Sequence, residues 1–259
     1  MRSWIAVAAA IVACARPLAA QMDPAAHVAA GDSARCRRAA EDALQHYRAA
    51  LALDSLHYDA NWKAAQVLVD IGKGLPNAQR ARRDSLYAEG QMLAERAVRV
   101  NSPGADGHFM VAVAIGRVAL TKGARERVRY ARVVRDEALR ASELNPQHDG
   151  ALHVLGRWNA EIQRLPAVTK FFARTFLGAA IFSEATWDNA VSNFERAINI
   201  APTNLYHHLD LAETLIDMHR AADAIPHLQQ VISLPLGCDP EDASYRRQAQ
   251  QLLERISRR

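Results

Sequence analysis

The sequence predicts an all-α fold, specifically an α-solenoid of about five helix pairs that carries one aromatic insertion. Two observations favour it. A ladder of small and apolar residues recurs five times at the spacing of one helix face, and no sustained two-residue alternation indicates a strand. The five copies are Ala43, Tyr47, Ala50 and Ser55; Gly90, Ala94, Ala97 and Ser102; Val134, Ala138, Ala141 and Pro146; Ala190, Phe194, Ala197 and Pro202; and Ala224, Leu228, Val231 and Pro235.

The fourth copy shows the physical logic of the ladder most clearly. Ala190 and Ala197 let two helices approach closely, Phe194 fills the groove between them, and Pro202 ends the helix. The final residues of successive copies lie 47, 44, 56 and 33 positions apart. The last interval is close to the 34-residue period of tetratricopeptide repeats, and the longer ones predict extended helices or inserted loops.

Small residues also occur where the first helix of each pair should meet its partner. Counted from the end of the preceding copy, this position holds Ala65, Ala112, Gly156 and Ala212. Four matches in register with their second helices favour a repeat over an unrelated helical bundle.

The N-terminus predicts export. A basic start, an apolar run from Trp4 to Ala15 and a small-residue end are typical of a secretory signal peptide, here residues 1–20. Residues 21–31 are then expected to be a linker, and residues 32–257 the repeat domain. This places the protein in the periplasm or envelope of a bacterium. Lipidation at Cys14, which would anchor the chain to a membrane, and a retained N-terminal anchor are the alternatives.

Charge and cysteine content narrow the function classes further. The formal net charge is +4, and removing Arg2 and Arg16 with the signal peptide leaves +2, which does not favour nucleic-acid binding. The arginine run from Arg125 to Arg135 is interpreted as a solvated helix face, with an anion or acidic-partner site as the alternative. Cys36 and Cys238 are expected to remain unbonded, because an extended stack places them at opposite ends.

The insertion between the third and fourth copies is unusually aromatic. Four of the six phenylalanines of the chain lie in it: Phe171, Phe172, Phe176 and Phe182. One interpretation is that it folds back over the repeat groove as extra core. The other is a helix for a partner or a membrane, with contact through Phe171, Phe172 and Phe176.

No motif for catalysis, a metal or a cofactor is present, so the protein is predicted not to be an enzyme, with enzymatic function kept as an outlier. His207 and His208 point about 100° apart on a helix and cannot easily share an ion. What remains is a concave groove lined by the first helices. Its candidate residues are Asp59, Trp62, Gln66, Asp70, Phe109, Arg117, His153, Arg157, Glu161, Tyr206 and Glu213.

One segment resembles a known family. Leu155-Gly156-Arg157-Trp158, the aromatic insertion after it, then Trp187 to Ala190 and Phe194 to Ala197 are similar in order to the regulator of microtubule dynamics family. The resemblance implies an all-α repeat fold and a non-catalytic interaction role, with Gly156 and Trp158 shaping the repeat. The leading hypothesis is therefore an exported scaffold that binds a protein or peptide in its groove. An envelope lipoprotein or membrane-surface adaptor is the alternative.

Overall fold

The computed structural model describes residues 22–176 and 180–258, and this part of the chain is all-α with no strand. The predicted signal peptide and Cys14 lie outside the described residues. The helices are α1 (Pro24–Cys36), α2 (Ala40–Leu53), α3 (Tyr58–Gly74), α4 (Arg80–Val100), α5 (Ala105–Ala119), α6 (Ala124–Leu144), α7 (Asp149–Arg164), α8 (Ala167–Phe176), α9 (Trp187–Ile200), α10 (Leu205–Asp217), α11 (Ala221–Ser233) and α12 (Asp242–Ser257). Short 3₁₀ helices span Asn77–Gln79 and Ala180–Glu184.

Ten of the twelve α-helices of the described residues form five pairs, as the ladders predict, while α8 belongs to the insertion and α12 follows the last pair. The pairs are α1 with α2, α3 with α4, α5 with α6, α7 with α9, and α10 with α11, and α12 packs against the last pair. Each ladder lies on the second helix of a pair, and each of these helices ends two residues before its predicted stop. The extra length of the early repeats is partly helical, since α4 and α6 have 21 residues each, against 14 in α2.

Close packing within a helix pair depends on glycine, which has no side chain. A Cβ built on Gly156 of α7 would lie 2.8 Å from the ring of Phe194, and Phe194 is fully buried. The ring therefore occupies the space that any larger residue at position 156 would need. Trp158 is also buried, and its indole Nε1 donates a hydrogen bond to the carbonyl of Ala131 at 2.8 Å.

The expected linker at residues 21–31 is wrong from Pro24 onward, because α1 begins there. The carboxylate of Asp23 caps the helix by accepting a hydrogen bond from the amide of Ala26 at 2.7 Å, and Pro24 stands in its first turn. A Cβ on Gly31 would lie 2.5 Å from the ring of Tyr47, so α1 meets α2 through the same kind of contact as α7 meets α9. The small residues that suggested a linker instead form a packed helix.

The expectation of unbonded cysteines is also wrong. Cys36 at the end of α1 and Cys238 in the connection between α11 and α12 form a disulfide, with their Cα atoms 4.2 Å apart. The stack of pairs curves until its two ends meet. The solenoid is therefore closed into a ring, whereas the sequence suggested an open, extended stack.

The aromatic insertion is divided between core and surface. Phe182 is buried in a cluster with Trp158 and Ile162, so this part folds back as core. By contrast, Val168 and Phe171 of α8 are 66% and 61% exposed. None of the helices in residues 22–176 and 180–258 combines the length and apolar character needed to cross a bilayer.

Candidate functional site

The closed ring of helix pairs surrounds a cavity of about 1440 Å³. Nine of the eleven predicted groove residues line it: Trp62, Gln66, Asp70, Phe109, Arg117, His153, Arg157, Glu161 and Tyr206. They come from the first helices α3, α5, α7 and α10, because these helices occupy the concave side of a curved stack of pairs. The register of the ladders thus placed these nine residues on the concave side.

Two predicted groove residues lie elsewhere. Asp59 is one turn before Trp62 on α3, and its carboxylate accepts the hydrogen bond of the Trp62 indole at 3.0 Å. Glu213 accepts a hydrogen bond from the amide of Gln248, because α12 packs beside this turn of α10. Burial raises the pKa of Glu213 above its usual value. Asp59 thus contacts a residue of the cavity, and Glu213 contacts the final helix. Neither of them lines the cavity.

One part of the cavity wall is apolar. Val128, Ala131 and Val134 of α6 face Trp158 and Phe182. The rings of Trp158 and Phe182 meet edge to face, with their centroids 6.3 Å apart. The apolar residues that complete this part of the wall are Phe109, Val113, Ile162, Leu165 and Val168. This surface suits apolar side chains of a bound molecule.

Another part of the wall is a polar network between α7 and α10, in which His153, His207 and Asp210 are buried and Arg157 and Glu161 are partly exposed. The guanidinium of Arg157 donates to the hydroxyl of Tyr206, to Oδ2 of Asp210 at 3.2 Å and to Oε1 of Glu161 at 3.2 Å. Although burial opposes its charge, Asp210, Tyr206 and Glu161 together raise the pKa of Arg157 above its usual value. The ring of Tyr206 stacks on that of Tyr245, with centroids 4.7 Å apart.

The same network continues through two histidines. Nε2 of His153 lies 3.2 Å from Oδ2 of Asp210, and the Nδ1 atoms of His153 and His207 share a hydrogen bond of 3.0 Å. Nε2 of His207 in turn lies 2.8 Å from Oδ2 of Asp149. Burial lowers the pKa of His153 to about 4, although Asp210 acts in the opposite direction. Burial would raise the pKa of Asp210, but the hydrogen bond from His153 and the charge of Arg157 hold it below its usual value.

The adjacent histidines have separate partners. His207 faces the cavity, whereas Nδ1 of His208 lies 3.1 Å from Nδ1 of His227 on α11. Among the described residues, no three His, Cys, Asp or Glu side chains are grouped so that they could hold a metal ion.

The sequence analysis missed Asp149 and Asp210, which complete this network. A signal was present in the spacing. Asp149, His153 and Arg157 follow one another at four-residue intervals on α7, and Asp210 follows Tyr206 at the same interval on α10, so each set shares a helix face. What the spacing alone does not reveal is that the two faces meet.

Comparison with known proteins now identifies the family. The family model described as RMD1-3, Regulator of microtubule dynamics protein 1-3, matches residues 23–257. This chain belongs to that family. It is similar to regulator of microtubule dynamics protein 1 of Bos taurus, with 25% identity over 76% of this chain and 61% of the relative. The protein of the same name from Homo sapiens is 24% identical over 76% of this chain and 62% of its own length.

The chain thus spans less than two thirds of the length of these curated relatives. The match of fold extends further. A thermophilic TPR protein of Thermus thermophilus superposes with a TM-score of 0.65 and 16% identity, covering 89% of this chain and 99% of the other. The fold is therefore that of the tetratricopeptide-like α-solenoids.

Proposed function

We propose that this protein is an exported, non-catalytic scaffold that holds a segment of a partner protein in its central cavity. The observation that carries the proposal is the cavity itself, whose two walls offer different chemistry. An apolar surface with Trp158 and Phe182 adjoins a polar one with Arg157 and Tyr206, since Arg157 and Trp158 are consecutive residues of α7. A peptide segment presents both kinds of group, and aromatic and arginine side chains dominate the binding energy of many protein interfaces.

Export is supported by the disulfide. Bonds of this kind persist in oxidising compartments and are rare in the reducing cytosol. The signal-peptide pattern of residues 1–20 is an independent indication of the same compartment. Expression with and without residues 1–20, followed by cell fractionation, tests this part: the full chain should be recovered outside the cytosol, and recovery of both forms in the cytosol would contradict it.

A cavity-filling variant tests partner binding. Gly116 lines the cavity, and a Cβ there would meet only Val134, at 3.8 Å, so Gly116→Trp should place an indole in the part of the cavity next to Val134. Gly74 is exposed, and a Cβ there would meet nothing within 4 Å, so Gly74→Trp is the matched control. We expect partners that copurify with the wild type and the control to be lost from Gly116→Trp. Equal recovery from all three would overturn the proposal.

A second test of partner binding removes two side chains that line the cavity. Trp62→Ala combined with Arg157→Ala removes one aromatic and one cationic contact from the cavity. Arg129→Ala is the control, because its side chain is 68% exposed on α6. We expect partner recovery to fall only in the double variant, with helix content checked by circular dichroism.

The exposed face of α8 favours a second candidate, contact with a membrane surface. Val168 and Phe171 present apolar surface to solvent on this helix, with Lys170 between them. Flotation with vesicles that contain phosphatidylglycerol, comparing the wild type with Val168→Ser plus Phe171→Ser, tests it. Loss of flotation in the double variant would support an adaptor role, and equal flotation would remove it.

A further inference from the structure

The two ends of the ring meet at what we call the seam, formed by residues 35–38 and 237–239. The Cys36–Cys238 disulfide crosses it. Beside the bond, the guanidinium of Arg38 donates to the carbonyl of Gly237 at 3.2 Å. In the described residues, α1 and α2 do not pack along α10, α11 or α12. Within the described residues, the disulfide therefore joins two ends that no extensive helix–helix packing holds together, with a charge interaction between Arg38 and Asp242 beside it.

The seam also forms part of the cavity wall. Arg35 on one side of it and Gly237, Cys238 and Asp239 on the other line the cavity. Cys36 is exposed to solvent, whereas Cys238 is half-buried. A reductant in solution can thus reach one sulfur from outside, while the other belongs to the wall that faces a bound molecule.

Contacts other than the disulfide also hold the first pair in the fold. Tyr47 of α2 packs against Gly31, and its hydroxyl donates to Asp32 at 2.7 Å. Lys63 of α3 forms an ion pair with the same carboxylate at 2.6 Å, which ties the first pair to the second. Breaking the bond should release the seam while these contacts keep the helices folded.

We propose that the Cys36–Cys238 bond is a redox-controlled strap that keeps the cavity closed at the seam, and that its reduction opens the cavity to a partner segment. This inference rests on the proposed function, because it takes the cavity to be the binding site. The reductant is a dithiol: it supplies two electrons and two protons, the S–S bond breaks, two cysteine thiols form, and the dithiol becomes a cyclic disulfide.

The test measures opening in the absence of any partner. The probe is N-phenyl-1-naphthylamine, a neutral apolar dye whose binding is followed by stopped-flow fluorescence. Oxidised wild type is compared with protein reduced by dithiothreitol and with Cys36→Ser plus Cys238→Ser. We expect the association rate of the dye to rise about tenfold in the two open forms, because the intact seam admits the dye on that side only in the fraction of molecules in which the seam is open. Small-angle X-ray scattering should show a larger radius of gyration in both.

Three controls make the result specific. Gly116→Trp should abolish dye binding in every redox state, which shows that the dye occupies the cavity. Arg38→Ala removes the hydrogen bond to Gly237 but keeps the disulfide, so it should remain closed. Gly74→Trp keeps the cysteine pair intact and should behave as the wild type, because Gly74 is exposed and a Cβ there meets nothing within 4 Å.

Equal dye association rates and equal radii of gyration in the oxidised and reduced proteins would overturn the strap. If the double variant loses helix content, a second sample tests the proposal. In it, the reduced wild type is crosslinked with bismaleimidoethane, which replaces the disulfide by a longer covalent link. Faster dye binding than in the disulfide form supports the proposal, and an unchanged rate contradicts it. Failure of the proposed function has a different signature, namely unchanged partner recovery in Gly116→Trp.

Discussion

The contacts inside a helix pair and the contacts across the seam hold the molecule together in different ways. Inside the α7–α9 pair, Phe194 is fully buried against Gly156, and nothing larger would fit between them. Across the seam, the described residues form a disulfide, a hydrogen bond from Arg38 to Gly237 and a charge interaction of Arg38 with Asp242. The pairs are stabilised by packing that each repeat supplies for itself, whereas ring closure depends on a covalent bond.

The two ends of the ring are nevertheless copies of one unit. The two end pairs, α1–α2 and α10–α11, each have a histidine contact between their helices. The Nδ1 atoms are 3.4 Å apart in His27 and His46, and 3.1 Å apart in His208 and His227. The residue in the turn is left-handed in both, with φ of 62° at Arg38 and 61° at His219. These positions correspond at a constant offset of 181 residues. The ends are thus equivalent repeats that the curvature of the solenoid brings face to face.

The largest effect is expected from removing the seam bond. Cys36→Ser plus Cys238→Ser should lower the free energy of unfolding by about 4 kcal/mol, since the bond closes a long loop and restricts the unfolded chain. Urea unfolding under non-oxidising and oxidising conditions measures this. The oxidised wild type serves as reference, and an unfolding free energy equal to the reference would show that the closure contributes little.

Acidification should weaken the polar contact between the α7–α9 and α10–α11 pairs. Folded His153 stays neutral down to about pH 4, whereas the unfolded chain takes up this proton near pH 6.5, so stability should fall by up to about 3 kcal/mol as the pH decreases between these values. His153→Gln should flatten this slope. Part of it will remain, because burial also lowers the pKa of His208 and His227. A wild-type slope retained in full by the variant would contradict the assignment.

A bulky residue at the α7–α9 contact should lower the free energy of unfolding by less than loss of the disulfide or acidification does. Gly156→Leu places a side chain against the ring of Phe194 and is expected to destabilise the protein by about 2 kcal/mol through overpacking. Gly74→Leu, at an exposed position with free space, should leave the denaturation midpoint nearly unchanged. Equal midpoints for the two variants would mean that the pair tolerates expansion.

The smallest effect concerns the start of α9, where the chain returns from the insertion to the repeat. The hydroxyl of Thr186 accepts a hydrogen bond from the amide of Asn189 at 3.0 Å, so Thr186→Ala should cost about 1 kcal/mol. Thr203→Ala is the control, since the residue lies in the turn before α10 and Asn204 provides that cap. Thermal unfolding monitored by circular dichroism compares the two, and indistinguishable melting would exclude a capping role.

Features that repeat along the chain could be predicted from the sequence. The ladder ending at Pro202 and its four counterparts located all five second helices, because burial at a helix period leaves a local pattern. The start of helix α1 was placed at residue 32 instead of Pro24, because the first pair has no preceding copy from which to count. The comparison of Gly31 and Tyr47 with Ala212 and Leu228 at the 181-residue offset would have revealed it.

The closure could not be predicted in the same way. It depends on the small rotations that accumulate over five pairs, and neither Cys36 nor Cys238 carries a local sign of the other. The network of Asp149, His153 and Asp210 could be predicted only in part. Its members share helix faces that the sequence shows, but their meeting across α7 and α10 is a property of the assembled stack.

The covalent ring has a consequence for cleavage of the backbone. Because residues 36–238 form a closed loop, a protease that cuts once in any turn between them yields two pieces that stay linked by the disulfide. On a non-reducing gel the nicked molecule therefore migrates as one species, and two fragments separate only after a thiol is added. The same connectivity means that new termini could be introduced in an interhelical turn without separating the molecule into parts.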